Sequence, residues 1–134
     1  MLCSCQDYGK LEKKGDLDRS LAEISGLAVF SNDSLIYTAT DHGNPNSIYG
    51  LDPSGNIIRE ITISNAPNED WEDLTKDSSG TLYISDTGNN ENDREDQFIY
   101  IIPNFAKLAQ QRESLKAQKI TFTLSDQEDY PPSL

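Results

Sequence analysis

The sequence predicts an all-β protein of two four-stranded antiparallel sheets with one short inserted helix. Three observations lead to it. Val, Ile, Leu and aromatic residues come in short runs bounded by Asp, Asn, Gly and Pro, the pattern of strands joined by tight turns. Two stretches resemble each other at a spacing of 47 residues, Glu23-Ile24-Ser25-Gly26-Leu27 and Asp70-Trp71-Glu72-Asp73-Leu74. One segment, Phe105–Lys119 (FAKLAQQRESLKAQK), is rich in strong helix formers.

The elements follow in order. Residues 6–20, with Lys10, Lys13, Lys14, Asp16, Asp18 and Arg19, read as a polar linker. The first repeat opens at Glu23–Leu27. Its second strand is Leu35-Ile36-Tyr37-Thr38, its third Ser47-Ile48-Tyr49-Gly50-Leu51 and its fourth Ile57–Ile63, where Ile57, Ile61 and Ile63 share a face. The second repeat has the same order: Asp70–Leu74, then Leu82-Tyr83-Ile84-Ser85, again 47 residues on, then Gln97-Phe98-Ile99-Tyr100-Ile101 and Lys119–Leu124. Asp52-Pro53-Ser54-Gly55-Asn56 and Asp77-Ser78-Ser79-Gly80 are hairpin turns by composition. An Asp-x-Gly-Asn loop follows the second strand in each copy, Asp41-His42-Gly43-Asn44 and Asp86-Thr87-Gly88-Asn89, and the acidic loop 90–96 lengthens the second. The helix is expected between strands three and four of the second repeat, with Asn104 as its N-cap and Phe105, Leu108, Ala109 and Leu115 packing locally.

Four antiparallel strands recurring about every 45 residues make the blade of a β-propeller, a ring that closes with 4–8 blades. The expected organisation is a lipoprotein-like N-terminus and linker over 1–20 and a partial propeller over 21–134. Blade one spans about 21–64, blade two about 70–124, and 125–134 leads toward a third.

Charge narrows the partners. The chain has 134 residues with 11 Lys+Arg against 23 Asp+Glu, a net charge of −12. A nucleic-acid face needs clustered basic residues, so nucleic acid is excluded as a partner. Residues 60–96 alone carry eleven acids against Lys76 and Arg94. No apolar run approaches the ~20 residues that span a bilayer. Met1-Leu2-Cys3-Ser4-Cys5 resembles the end of a bacterial lipoprotein signal with Cys5 as the lipidated residue, although the charged and apolar parts of such a signal do not precede it. Two locations stay open: the cell envelope (through a lipid anchor) or the exterior, and the cytoplasm if the N-terminus is genuine. Membrane contact is expected only through that anchor. Cys3 and Cys5, with no His nearby, make no zinc site.

The motifs Glu23-Ile24-Ser25-Gly26-Leu27, Asp41-His42-Gly43-Asn44, Asp70-Trp71-Glu72-Asp73, Asp86-Thr87-Gly88-Asn89-Asn90 and Arg94 together resemble a family of bacterial secreted six-bladed β-propellers. That family is similar to the wider group of NHL-repeat, SMP-30-like, SdiA-regulated and phytase-like proteins. Its pattern reads roughly E-x-SG, NDSGN, DWE, then DxGxN with a following Arg. The resemblance covers about residues 21–132. His42 stands where the family usually has Ser, and Thr40 where it usually has Asn. The resemblance implies an N-terminal fragment of about two blades, with Tyr130-Pro131-Pro132 leading into the next.

In a propeller, equivalent loops of successive blades lie side by side. Asp70, Glu72, Asp86, Asn89 and Asn90 are therefore expected to converge as hard oxygen ligands suited to Ca²⁺. The structural alternative is that such Asp and Asn residues cap their own backbone while Trp71 packs between blades, with Glu23, Asp41, Asn44, Asp73 and Arg94 as further motif positions. The stretch Asp86–Gln97 is not an EF-hand, since Glu91 and Gln97 fall where that loop needs Gly and Glu. No G-x-S-x-G elbow, H-E-x-x-H or phosphate loop is present, and His42 has no nucleophile at fixed spacing. The expected function is a binding or scaffold module for a protein or small-molecule ligand, with Ca²⁺ as its cofactor and no catalysis by this chain alone. The alternative is part of a metal-dependent hydrolase of phytase-like or lactonase-like type. Open sheet edges would also allow self-association.

Overall fold

The computed structural model describes residues 9–125. Cys5 and Tyr130-Pro131-Pro132 lie outside the described residues. Among the described residues nine strands form two sheets: β1 (Ile24–Val29), β2 (Ile36–Thr40), β3 (Ser47–Leu51), β4 (Ile57–Ile63), β5 (Trp71–Lys76), β6 (Leu82–Asp86), β7 (Gln97–Ile102), β8 (Ser114–Leu115) and β9 (Gln118–Phe122). The first sheet has the order β1-β2-β3-β4-β8 and the second β5-β6-β7-β9. The fold is all-β with little helix, and no helix among the described residues is long and apolar enough to cross a membrane.

Turn chemistry makes the hairpins. Asp52 Oδ1 accepts the backbone N–H groups of Ser54 and Asn56, each at 2.9 Å, and Asp77 Oδ1 accepts those of Ser79 and Thr81. Asp33 accepts the N–H of Leu35. Each carboxylate reinforces the backbone hydrogen bonds of its turn, so the following strand starts in a defined register. Tyr37 Oη donates to Asp33 at 2.6 Å, and Tyr83 Oη donates to Asp77 at 3.0 Å, which ties the second strand of each sheet to the turn before it. Both first strands carry a bulge, between Ser25 and Leu27 in β1 and between Trp71 and Asp73 in β5.

One core joins the sheets. Ala28, Tyr37, Ala39, Ile48, Ile61 and Ile63 of the first share it with Leu74, Leu82, Ile84, Tyr100 and Ile102 of the second. The closest approach between sheets is of β1 to β5, where Ser25 Oγ donates to the Trp71 carbonyl at 2.7 Å. Trp71 is fully buried, and its indole N–H donates to the Pro67 carbonyl. A second cluster of Leu21, Tyr49 and Leu51, with Ile24 against it, lies where residues 9–22 cross the opposite face of the first sheet. A 3-10 turn at Arg19–Leu21, capped by Asp18, places Leu21 there. Of the expected face of β4, Ile61 and Ile63 are buried while Ile57 is 37% exposed, because the register shifts at Leu51, opposite Ile57.

The helix expectation needs correction. Only Phe105–Leu108 is helical, and Asn104 sits before it in the left-handed region with no side-chain cap. The chain then turns, and Ser114–Leu115 becomes β8, parallel to β4 with Thr62 opposite Ser114 and Ile63 opposite Leu115. Tertiary demand outweighs helix propensity here. The outer edge of β4 has unpaired backbone groups, which Glu113 and Leu115 meet by accepting the N–H groups of Thr62 and Ser64. Burial supplies the rest: Phe105 is wholly buried, edge to face against Tyr37 at 5.0 Å, while Ala109 and Leu115 enter the same core. The first sheet consequently has five strands rather than four, the fifth lent by the connection between β7 and β9.

Candidate functional site

The site lies at the end of the sheets where β2 and β6 finish and β1 and β5 begin. Loop 41–46, loop 87–96 and the linker 64–70 meet there around a cleft of about 530 Å³, lined in part by His42, Asn68, Glu69, Asp70, Asn90 and Arg94.

Two groups of acidic motif residues separate at this end of the sheets, with Asp70 the one acidic motif residue that lines the cleft itself. The first is organised by Arg94. Asp86, fully buried at the end of β6, accepts the Asp70 N–H at 3.0 Å on Oδ1, and the same oxygen stands 2.8 Å from Arg94 Nη1. Arg94 Nη1 also donates to the Gly88 carbonyl at 3.0 Å, and Nη2 lies 3.3 Å from Glu69 Oε2. Asn89 clamps the Arg94 main chain: its Oδ1 accepts the Arg94 N–H and its Nδ2 donates to the Arg94 carbonyl. The guanidinium stacks over Phe98 at 5.4 Å. These contacts let the long acidic loop fold back on itself. Asp86 Oδ2 has no hydrogen-bond partner.

The second group is Glu23, Asp41, Asp70 and Glu72. Gly88 shows how close Asp70 and Glu72 come, because a Cβ built there would stand 2.0 Å from Asp70 Oδ2 and 2.6 Å from Glu72 Oε1. Only glycine allows the loop to lie on both carboxylates. The equivalent Gly43 is needed for a different reason, its φ of +78° in open space. Burial, then the fields of Asp70 and Asp41, push the Glu72 pKa above the usual carboxylate value. Asp41 is pushed up by burial first, then by Glu23 and Asp70 and by its hydrogen bond with Glu23. Asp70 is 9% exposed, and no donor among the described residues reaches its carboxylate.

The remaining motif residues hold the loops. Asn44 Nδ2 donates to Glu23 Oε2 at 3.1 Å and to the Asp41 and His42 carbonyls, and Asp73 Oδ1 accepts the Leu74 N–H at 2.7 Å. Asn90 is exposed on the cleft rim. Of the five expected ligands, the structure brings Asp70 and Glu72 together and adds Asp41, whereas the side chains of Asp86 and Asn89 turn to Arg94. Among the described residues, no three His, Cys, Asp or Glu side chains form a ready-made metal-binding group.

Sequence reasoning missed Asn68, Glu69 and the part played by His42. Asn68 Nδ2 donates to the Thr40 and Asp41 carbonyls and its Oδ1 accepts the Trp71 N–H, so one amide joins the end of β2 to the start of β5. His42 Nδ1 donates to the Glu69 carbonyl, and that bond, then the carboxylates of Asp70, Asp41 and Glu23, raise its pKa against the opposing effect of burial. Its place inside the first Asp-x-Gly-Asn loop was the only signal in the sequence. Comparisons with protein-family models, curated proteins and solved structures found no match.

Proposed function

We propose that this chain is a non-catalytic binding module of β-propeller type, acting at the cell envelope or outside the cell, whose acidic cleft takes a cationic ligand with Ca²⁺ as the first candidate. One observation carries the cation reading: Asp70 is 9% exposed, no donor among the described residues reaches its carboxylate, and it faces a second carboxylate, Glu72, across Gly88. Two carboxylates held this close repel each other, and a hard cation between them offsets that repulsion. Carboxylate and amide oxygens are the donors that Ca²⁺ prefers, and no thiol lies at the cleft among the described residues; the one softer donor beside them is Nε2 of His42, whose Nδ1 donates to the Glu69 carbonyl. Asp70 and Glu72 would hold the ion, with water completing its shell, and the bound ion would fix the two loops for a partner at the cleft.

Register supports the blade reading. Leu27 lies opposite Thr38 in the first sheet and Leu74 opposite Ile84 in the second. Aligning Leu27 with Leu74 therefore makes Tyr37 correspond to Tyr83, the two tyrosines that donate to their turn aspartates. By the same pairings Ile48 corresponds to Ile99 and Ile61 to Ile120. In this correspondence the first sheet turns its Tyr37, Ile48 and Ile61 face to the second, while the second turns the matching face away, as successive blades do.

Titration calorimetry tests the cation. Ca²⁺ should bind with a dissociation constant of about 1 mM or tighter, in the range of extracellular sites. Binding should be lost in Asp70→Asn and weakened in Glu72→Gln, with Asn90→Ala unchanged. No heat at several times that concentration would remove the proposal.

A further inference from the structure

We propose that copies of this chain associate head to tail, the outward face of the second sheet of one copy receiving the outward face of the first sheet of the next. The proposal rests on the blade reading above but not on the cation. Strand pairing puts Tyr83, Ile99, Ile101 and Ile120 on a single face of the second sheet. Among the described residues neither hydrophobic cluster includes any of them, and Ile120 is 51% exposed. Their counterparts in the first sheet, Tyr37, Ile48 and Ile61, are at most 1% exposed because the second sheet lies on them. The molecule thus already contains one example of how such a face is filled: by Leu74 and Leu82 of a neighbouring sheet.

A second copy offers the matching surface. The register that aligns Leu27 with Leu74 also aligns Ile36 with Leu82. Leu27 is 61% and Val29 52% exposed, with Ile36 beside them in β2. Residues 9–22 cover the far side of this face, over Tyr49 and Leu51, and Leu17 borders the hollow beside Leu27 and Ile36, while on the β1 side Leu27 and Val29 stay more than half exposed. That is the side that matters, because β1 and β5 make the closest contact between the two sheets of one copy. Each copy therefore carries one filled example of the contact and the two unmatched halves of another. Because the halves differ, the interface is heterologous and can close into a ring.

Light scattering on the eluted full 134-residue chain tests this. The unmodified chain should elute at a multiple of the monomer mass. Leu27→Lys and Ile120→Lys each change a side chain more than half exposed and should each give folded monomers, checked by circular dichroism. An equimolar mixture of the two should form a dimer and nothing larger, since one intact half remains on each. A monomeric unmodified chain, oligomers indifferent to either change, or loss with Ile120→Lys alone (which marks a two-fold contact of like faces) would overturn the proposal. So would a mixture that stays monomeric. Calcium titration of the Ile120→Lys monomer reads the cleft separately, so failure of either proposal leaves the other standing.

Discussion

Arg94 Nη1 stands 2.8 Å from Oδ1 of Asp86, a carboxylate with no exposed surface, at the end of the central strand β6. The pair explains why a loop with so many acids keeps one arginine: it brings a countercharge to the only acid in the loop region that the core encloses.

Removing that countercharge should be expensive. Arg94→Met leaves Asp86 buried and unpaired, and should lower unfolding stability by about 3–5 kcal/mol. Adding Asp86→Asn to Arg94→Met should recover a large part of it. Urea unfolding of the single and double variants measures both, and a loss unchanged in the double variant would show that loop geometry rather than charge is at stake.

The two loop glycines should respond differently to alanine. At Gly88 the new Cβ runs into Asp70 Oδ2 and Glu72 Oε1, so Gly88→Ala should cost about 1–3 kcal/mol from overpacking and alter the Asp70 and Glu72 environment. At Gly43 space is open and only the positive φ opposes a side chain, so Gly43→Ala should cost about 1 kcal/mol and leave that environment intact. Denaturation midpoints, together with carboxyl NMR shifts, separate the two.

The raised acids predict an unusual pH response. Folding lifts the pKa values of Asp41 and Glu72 above their unfolded values, so the folded state binds more protons in that interval. Their contribution to stability is therefore present below the unfolded value and declines as pH rises through the folded one. Asp33, Asp52 and Asp77 are lowered by hydrogen bonds in their turns and act in the opposite sense, losing stability as pH falls through their folded values. Asp41→Asn and Glu72→Gln should each raise the urea midpoint at neutral pH and flatten its decline above the ordinary carboxylate range. Unchanged slopes in both variants would contradict the cluster.

Phe105 should be the most sensitive position outside the sheets. It is wholly buried and packs against Tyr37 at 5.0 Å and Phe30 at 5.6 Å. Phe105→Ala should cost about 3–5 kcal/mol, whereas Phe105→Leu should cost much less. Thermal melts of the two variants give the comparison.

Strand identities were legible because local patterns decide them. Alternating Ile and Tyr residues and aspartate turns reported β2, β3, β6 and β7 before any long-range contact was known. The helix was legible in its start at Phe105 but not in its length, since FAKLAQQRESLKAQK has helical propensity throughout and only the open edge of β4 and the core around Leu115 divert it. The alignment of Leu35–Thr38 with Leu82–Ser85 also slipped. Eleven residues separate Leu27 from its partner Thr38 and ten separate Leu74 from Ile84, so with Leu27 set against Leu74 strand pairing matches Thr38 to Ile84, 46 residues on, and a slip of one exchanges the faces of a strand. At the acidic end, residue types named loops that the structure brings side by side around one cleft. They gave no sign that Arg94 would claim Asp86 and Asn89, because a guanidinium's partners are fixed by how the loop folds back.

The two-residue strand β8 also has a mechanical meaning. It belongs to the connection between two strands of the second sheet, yet its hydrogen bonds go to β4 of the first. The sheets cannot be drawn apart like pages of a book until that stitch is undone, and undoing it pulls Phe105 and Leu115 from the shared core. Under tension at the chain ends, both sheets should give way in a single rupture rather than one after the other, and a Pro substituted for Leu115 should turn that rupture into two steps.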